Sequence, residues 1–199
     1  EAFIIGEEFI NKKNVALILG DNFFYGQNLT KKLLDSSKLT SGAKVFLHAV
    51  SKPELYGVAK VNKKNLITII KEKPKKHLSN HAVTGLYFFD NKVVNYAKKL
   101  KPSKRGELEI IDLLNIYRAK RKLKADFIGR GGVWLDTGSF DDFYKTTSFV
   151  SAIENRQGLK IACVEEIALL NKWITKKEIV SSIKFYGNCD YSKYLQKLI

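Results

Sequence analysis

Two carboxylates in this sequence stand just behind short apolar stretches, where they could hold a metal ion. Asp21 closely follows the apolar run at 15–19, and Asp136 follows Trp134 and Leu135. Such runs are typical of strands buried in a parallel sheet, and ligands of open α/β sheets bind beyond the carboxyl ends of the strands. Carboxylate oxygens are the ligands that a hard cation such as Mg²⁺ prefers. Two converging strand-end carboxylates could therefore bind one metal ion together with a phosphate, as phosphoryl-type transfer requires.

Each of these carboxylates also has a purely structural interpretation, which the residues alone leave open. Asp21 is equally suited to a turn after the strand, because aspartate side chains often accept hydrogen bonds from nearby backbone groups. Asp136 is suited to the N-cap of the helix predicted at 140–157. The positions of the two side chains in the fold must distinguish a metal site from two unrelated turns.

A second group of charged residues suits a sugar phosphate. Glu72 and Lys73 are adjacent at the end of a predicted strand, where a carboxylate can bind hydroxyls and an ammonium can bind phosphate. Both reach one ligand only if the strand has already ended, because adjacent strand residues point to opposite faces, and Pro74 favours such an end. Arg105 precedes a predicted helix and could contact a phosphate there. A charged strand end and a surface arginine are the structural alternatives.

The apolar periodicity predicts strands that alternate with helices, followed by a helical C-terminal part. A capping box at Thr175 and Glu178 predicts the start of one of the C-terminal helices. This order indicates a mixed α/β sheet with flanking helices. Strands are predicted at 15–19, 43–50, 56–61, 66–74, 82–90 and 124–129, and helices at about 28–36, after 90 or 91, at 106–120 and at 140–157.

The composition argues against several classes of protein. A chain of 199 residues, 45% hydrophobic, suits one globular α/β domain, and no apolar run is long enough to cross a bilayer. The net charge of +15 suggests nucleic acid, but only five of the 35 basic residues are Arg and the lysines are spread along the chain, which favours a solvated Lys-rich surface. Cys163 and Cys189 lack partners at metal-ligand spacing and are expected to be reduced thiols, and no role is assigned to His48, His77 or His81.

The beginning of the chain predicts that part of a larger fold precedes it. Residue 1 is Glu, the sequence contains no Met, and the segment 1–9 is typical of the middle of an amphipathic helix without an N-cap. We therefore expect a chain that is truncated at its N-terminus.

A series of segments resembles one known family. The segments are LGDNFFYG, ELYGVAKV, EKPK, AVTGLYFFD, KPSKRGELEI, GRGGVWLDTG and ENRQGLKIACVEEIA. In order and spacing they resemble the glucose-1-phosphate thymidylyltransferases, which are bacterial sugar nucleotidylyltransferases. The resemblance extends from residue 1 to about residue 180.

This resemblance implies a fold and an activity. The fold would be a Rossmann-like, mixed and mostly parallel sheet with flanking helices, in a single nucleotidylyltransferase domain over 1–199. The activity would join dTTP and glucose 1-phosphate into dTDP-glucose and release pyrophosphate, with Mg²⁺ as cofactor, on the route to dTDP-rhamnose. Members of the family are expected to be cytoplasmic homotetramers with a second, regulatory nucleotide site and no nucleic-acid or membrane partner.

The resemblance also implies roles for individual residues. Asp21 and Asp136 would hold the magnesium, Glu72 would bind sugar hydroxyls, and Lys73 and Arg105 would bind the sugar phosphate. The sugar pocket would be lined by Asn22, Tyr56, Gly57, Val83, Tyr87 and Trp134, and the regulatory site would include Tyr25, Gly26, Gly129 and Glu166.

One departure from the family is the absence of its Gly-rich loop, of the form G-G-x-G-T-R-L-x-P-x-T, whose backbone N–H groups hold the triphosphate. The strands that open the family's fold and the residues that read thymine are absent with it. We therefore expect residues 1–199 alone to be inactive, and the base preference stays open. A uridylyl- or cytidylyltransferase of the same fold is one alternative, and a non-catalytic basic binding module is another.

Overall fold

The predicted apolar strands pair into one mixed sheet in the computed structural model, which describes residues 1–103 and 106–199. Strand β6 (His81–Phe89) lies at the centre of this sheet, with both of its edges paired. Nearly all of its residues are therefore buried. β3 (Ala43–Ala49) pairs with one edge, and β7 (Leu123–Phe127) pairs with β3 beyond it.

The other edge of β6 is shared by two elements. β1 (Val15–Ile18) pairs with the second half of β6, and β4 (Gly57–Val61) pairs with its beginning through Val58 and Ala82. β5 (Ile67–Glu72) forms a hairpin with β4. The β4–β5 hairpin and β1 therefore lie along the same edge of β6, opposite the edge that pairs with β3.

The strand directions differ from the expectation in one respect. β6 runs antiparallel to β1, β3 and β4, the β4–β5 hairpin is antiparallel, and β3 is parallel to β7. β1 and β3 run in the same direction, but β6 lies between them and opposes both. The mixed α/β fold is confirmed, whereas the expected predominance of parallel pairs is wrong for the strands that the structure describes.

Two short strands form a separate ladder. β2 (Asn22–Tyr25) and β8 (Val133–Asp136) pair antiparallel over four residue pairs. The sequence predicts an apolar stretch at β8 but no strand at β2, because a Gly-Asp-Asn segment is typical of a turn. This ladder carries four of the predicted site residues, Asn22, Tyr25, Trp134 and Asp136.

Helices cover the sheet of the first part of the chain. The largest fully buried side chains include Tyr117, Phe89 and Val45. The core therefore lies between the helix at Ile110–Ala119, which carries Tyr117, and the sheet strands β3 and β6. The helices are α1 (Ala2–Ile5), α2 (Glu7–Ile10), α3 (Leu29–Ser37), a 3₁₀ helix (Pro53–Leu55), α4 (Val93–Ala97) and α5 (Ile110–Ala119).

The chain divides into two compact units, Glu1–Gly138 and Ser139–Ile199, which are described separately. The single domain expected over 1–199 stays a prediction. The second unit is helical as predicted, and its α8 begins with the predicted capping box of Thr175 and Glu178. Its helices are α6 (Phe140–Gln157), α7 (Val164–Leu170), α8 (Lys176–Tyr186) and α9 (Asp190–Gln196).

Ser139 caps the first helix of the second unit. Its Oγ accepts a hydrogen bond from the Asp142 backbone N–H at 3.1 Å. The alternative interpretation of Asp136 as the N-cap of this helix is therefore wrong. Cys163 and Cys189 are free thiols, as expected, and none of the helices within the described residues is both long and apolar enough to cross a bilayer.

A buried carboxylate ties three segments of the first unit together. Asp90 is 2% exposed and accepts hydrogen bonds from the Gly42 N–H at 2.7 Å, the Tyr117 hydroxyl at 2.8 Å and the Lys92 N–H at 3.1 Å. Burial and then the hydrogen bond to Asp90 raise the pKa of Tyr117, so its hydroxyl remains a donor. This carboxylate joins the start of β3, the start of α4 and the last turn of α5.

Replacing that carboxylate should destabilise the first unit. We expect Asp90→Ala to lower the free energy of unfolding by about 3 kcal/mol, because it leaves a buried hydroxyl and a buried N–H without partners. Urea denaturation measures the change. The control is Asp35→Ala, since the Asp35 carboxyl is exposed and lies 3.7 Å from Lys38, and it should cost less than about 0.5 kcal/mol. Equal stability of the two variants would contradict the prediction.

The second unit is organised around another buried carboxylate. Glu165 is 8% exposed and accepts hydrogen bonds from the hydroxyls of Tyr186, at 2.8 Å, and Tyr191. The Cys163 sulfur lies 3.1 Å from the Tyr191 hydroxyl. Burial raises the pKa of Glu165, but the hydrogen bonds from Tyr191 and Tyr186 together outweigh it, and the net pKa lies below its ordinary value. This carboxylate links the start of α7 to α8 and α9.

Acidification should therefore weaken the second unit through Glu165. A carboxyl whose pKa is lower in the folded state stabilises the fold above its unfolded pKa, near 4.5, and this contribution is lost as the pH falls through the folded value. We expect amide-exchange protection of α7 and α9 to fall below pH 4.5, and Glu165→Gln to remove much of that dependence. Asp141→Asn, an exposed carboxylate of the same unit, should leave the dependence intact. An unchanged pH dependence in Glu165→Gln would refute the prediction.

Candidate active site

The β2–β8 ladder brings the two candidate metal carboxylates to the same place. Asn22 pairs with Asp136, and one position further Thr137 donates two hydrogen bonds to the Asp21 carbonyl, from its N–H at 2.8 Å and its hydroxyl at 2.9 Å. Asp21 and Asp136 therefore lie at the same end of the ladder, although they are far apart in the sequence. Asp21 is exposed and Asp136 is partly exposed, so both carboxylates are accessible to a ligand.

The hydrogen bonds of the two carboxylates leave oxygens available to a cation. Asp21 Oδ1 accepts from the Asn22 amide at 2.8 Å, and Asp136 Oδ1 accepts from the Gly138 N–H at 2.9 Å. Among the described residues, the Oδ2 atoms of Asp21 and Asp136 have no hydrogen-bond partner. No group of three or more His, Cys, Asp or Glu side chains suited to a metal occurs within 1–103 and 106–199. A divalent ion held here would therefore take further ligands from phosphate and water, which is how Mg²⁺ is usually bound.

The Asn22 side chain joins this end of the ladder to the central strand. Its Oδ1 accepts from the Gly85 N–H of β6 at 2.9 Å and from the Trp134 indole N–H of β8 at 2.6 Å. Its amide donates to Asp21, as described above. One side chain thus orients Asp21, fixes the Trp134 ring and attaches the ladder to β6.

The close contact of Asn22 with β6 requires glycine at position 85. A Cβ on Gly85 would lie 2.6–2.8 Å from three atoms of the Asn22 side chain. Gly57, at the start of β4, is a similar case, because its Cβ would meet Ile111 at 3.0 Å and the Glu72 carboxylate at 3.1 Å. Both glycines allow side chains of the candidate site to approach the strands closely.

Glu72 and Tyr87 bring polar groups to the same region. Glu72 pairs with Gly57 at the end of β5 and is exposed, whereas Tyr87 on β6 is 3% exposed. Burial, then the charge of Glu72 and then that of Asp21, raise the pKa of the Tyr87 hydroxyl. The hydroxyl therefore lies within the field of both carboxylates and stays protonated, as a hydrogen-bond donor.

Aromatic and apolar side chains form a wall beside these groups. The Tyr56 and Trp134 rings lie 5.1 Å apart at an interplanar angle of 61°. Trp134 and Val83 are each 8% exposed, and Gly57 is buried. An apolar wall next to a few polar groups is the usual composition of a small-molecule site.

Lys73 lies just beyond the end of the strand, which is the condition for Glu72 and Lys73 to reach one ligand. β5 ends at Glu72, and Lys73 has a positive φ of 37° while its N–H donates to the Tyr56 carbonyl at 3.0 Å. The change of backbone conformation frees Lys73 from the strict alternation of strand side chains. Its side chain is exposed. Arg105, the other predicted phosphate contact, lies outside the described residues.

A cavity beside Glu72 was not predicted from the sequence. It has a volume of about 470 Å³ and lies between β5 and α5. Ser103 donates a hydrogen bond to Glu109 at 3.0 Å on its wall, and Asp112 adds a further carboxylate. In the sequence, the acidic GELE segment supplies Glu109 to this cavity but has no pattern typical of a binding site.

Three of the predicted regulatory residues lie at the opposite end of the β2–β8 ladder. Tyr25 pairs with Val133, and a Cβ on Gly26 would lie 2.8 Å from Gly132 Cα. Gly129 accepts a hydrogen bond from the Gly132 N–H at 2.9 Å. Glu166 belongs to the second unit, where it accepts from the Tyr194 hydroxyl at 2.6 Å.

Comparisons with known proteins identify the family of this chain. A family model described as nucleotidyl transferase matches residues 1–152. Glucose-1-phosphate thymidylyltransferase of Neisseria gonorrhoeae is 48% identical over 199 residues, which are 100% of this chain and 69% of that protein. The enzyme of the same name from Mycobacterium tuberculosis (strain CDC 1551 / Oshkosh) is 39% identical over the same shares.

The chain is also similar to solved structures of sugar nucleotidyltransferases. The structure of a Bacillus anthracis glucose-1-phosphate thymidylyltransferase in complex with a sucrose matches with a TM-score of 0.66 and 37% identity. It covers 74% of this chain, and the chain spans 58% of it. A UDP-glucose pyrophosphorylase complexed with UDP-glucose matches with a TM-score of 0.65 at 22% identity, which shows a common fold.

Filling the space at Gly85 should disrupt the candidate site. We expect Gly85→Ala to lower the free energy of unfolding by about 2 kcal/mol, because Asn22 must move and give up its bonds to β6 and Trp134. Urea denaturation gives the stability, and Trp134 fluorescence, measured in a Trp173→Phe background, reports the local change. Gly20→Ala is the matched control, since a Cβ there meets nothing within 4 Å. A Gly85→Ala protein as stable as the control would show that Asn22 does not depend on this contact.

Proposed function

Because this chain belongs to the glucose-1-phosphate thymidylyltransferases, within the nucleotidyl transferase family, we propose that its protein transfers a thymidylyl group from dTTP to glucose 1-phosphate. The products are dTDP-glucose and pyrophosphate. The chain spans 58% of the Bacillus anthracis relative and 69% of the Neisseria gonorrhoeae one, so this is a proposal about the whole protein. The observation that carries it is the β2–β8 ladder, whose end bears both Asp21 and Asp136.

Enzymes of this family use a divalent metal, and we propose Mg²⁺, held by Asp21 and Asp136. The ion would offset negative charge on the phosphates. Asn22 orients the Asp21 carboxylate, and the Gly138 N–H orients that of Asp136. These hydrogen bonds fix both ligands before substrate arrives, and positioning and electrostatics supply most of the catalysis in this kind of transfer.

The sugar is proposed to bind between Glu72 and the aromatic wall. Glu72 would accept hydrogen bonds from sugar hydroxyls, and the protonated Tyr87 hydroxyl would donate one. Tyr56 and Trp134 would pack against the apolar face of the ring, with Asn22, Gly57 and Val83 completing the pocket. The buried position of Tyr87 and the exposed carboxylate of Glu72 support this orientation.

The sugar phosphate is proposed to bind the Lys73 ammonium, together with Arg105. A phosphate oxygen of glucose 1-phosphate attacks the α-phosphorus of dTTP, and the bond from that phosphorus to pyrophosphate breaks. Lys73 would hold the attacking phosphate and screen its charge. No covalent bond to the protein is needed.

The regulatory site and the assembly are further parts of the proposal. Tyr25, Gly26 and Gly129 would contribute to a second nucleotide site at the far end of the β2–β8 ladder. Glu166, the fourth residue for which the family resemblance implies a regulatory role, belongs to the second unit and is proposed on that resemblance alone. A homotetramer is proposed for the whole protein. Size-exclusion chromatography with light scattering tests the assembly.

The central experiment measures pyrophosphate release by the protein made from the complete reading frame that contains this chain, with glucose 1-phosphate, dTTP and Mg²⁺. We expect Asp136→Asn to lower kcat by about 100-fold, because it removes a charged metal ligand. Asp141→Asn is the matched control, since that exposed carboxylate pairs with Lys145 at 2.6 Å on α6. Full turnover by Asp136→Asn would rule out the proposed centre.

The same assay separates the alternatives. A preference for UTP or CTP over dTTP would assign a different base within the same fold. No turnover with any nucleotide, combined with salt-dependent retention on DNA, would instead support a basic binding module.

A further inference from the structure

Trp134 is held by three neighbours. Its indole N–H donates to Asn22 at 2.6 Å, and the Tyr56 ring lies 5.1 Å away. The third neighbour is His48, whose ring lies 6.3 Å from the indole at an interplanar angle of 74°, in an edge-to-face arrangement. The sequence alone indicates no role for His48, because it has no metal-ligand spacing.

His48 presents an uncharged ring to the indole. It lies on β3 opposite Ala82, and its Nδ1 is buried and has no hydrogen-bond partner within the described residues. Burial lowers the pKa of His48, and a hydrogen bond with the Ile128 backbone opposes this only in part. A neutral imidazole can pack edge-on against an indole without the cost of burying a charge.

The contact at Trp134 is connected to the candidate metal carboxylate by a short series of hydrogen bonds. The indole N–H binds Asn22 Oδ1, and the amide of the same side chain binds Asp21 Oδ1 at 2.8 Å. A rotation of the Trp134 ring would break the first bond and leave Asn22 Oδ1 held by the Gly85 N–H alone, so that the amide bound to Asp21 is less firmly oriented. The orientation of Trp134 therefore matters at both the aromatic wall and Asp21.

We propose that His48 is a positioning residue, whose ring holds the Trp134 indole in the orientation that keeps Asn22 on Asp21 and Tyr56 on the aromatic wall. The importance of this wall for sugar binding rests on the proposed function. The packing of His48 on Trp134 does not, so the two can be tested separately.

The test uses the full chain with Trp173→Phe, which leaves Trp134 as the single tryptophan of the two. We expect His48→Ala to shift Trp134 emission to longer wavelength and to increase its quenching by acrylamide. It should also weaken the binding of glucose 1-phosphate in the presence of Mg²⁺ roughly tenfold, because small misplacements of binding groups have large effects. In the complete protein, KM for glucose 1-phosphate should rise more than kcat falls.

Two variants make the test specific to the ring contact. His48→Phe retains an aromatic edge at the same position and should restore both emission and affinity to within about twofold. His81→Ala removes a different β-strand histidine, whose ring lies 5.1 Å from Phe127, and should leave Trp134 emission unchanged. Melting temperatures of all variants identify any general loss of folding.

Three results would overturn the proposal: unchanged Trp134 emission in His48→Ala, failure of His48→Phe to restore it, or an equal shift in His81→Ala. A failure of the proposed function has a different signature. The wild-type chain would then not bind glucose 1-phosphate, while the emission of Trp134 would still respond to His48 as expected.

Discussion

The candidate site depends on one side chain, the amide of Asn22. It accepts from the backbone of the central strand at Gly85, accepts from the Trp134 indole and donates to the Asp21 carboxylate. These three bonds use groups from β6, from β8 and from the turn before β2. A two-stranded ladder has little stability by itself, so its attachment to the main sheet is what gives Asp21 and Asp136 fixed positions. Because hydrogen bonds are directional, they also fix the orientation of the Asn22 side chain, which apolar packing alone would not do.

The distribution of charge in this region is consistent with a site for an anionic ligand and a metal. The carboxylates of Asp21, Glu72 and Asp136 remain at least partly exposed, where their charge costs little. Groups that lie deeper are kept neutral by burial, as the direction of the pKa shifts of Tyr87 and His48 indicates. Buried donors thus support exposed charges, and the net charge of +15 over the chain adds a field that attracts phosphates.

The second unit differs, because its central carboxylate is buried and its pKa is lowered by hydrogen bonds. Glu165 is buried, but tyrosine hydroxyls from α8 and α9 satisfy its oxygens. Glu166, its neighbour in the sequence, is bound by the Tyr194 hydroxyl. Two adjacent carboxylates therefore hold α7 against the following helices. Any ligand of Glu166 would have to displace or share that hydroxyl.

The sequence by itself determined the elements with strong local signals. The helix at 140–157 and the capping box at Thr175 are confirmed, because periodicity and caps depend on neighbouring residues. The family was also determined, since its motifs stand in order along the chain. The strand β2 could not be predicted, because Asn22 and its neighbours form a strand only when β8 supplies their hydrogen bonds.

Only the tertiary structure decided which strands are neighbours and which polar groups meet. β6 lies between β1 and β3 and opposes both, an arrangement that the strands' own sequences do not specify. The contacts of Asn22 and of His48 with Trp134 join residues distant in the sequence, so no local pattern predicts them. The residue types of the site could be identified from the sequence because chemistry limits them, whereas their convergence is a consequence of how the sheet packs.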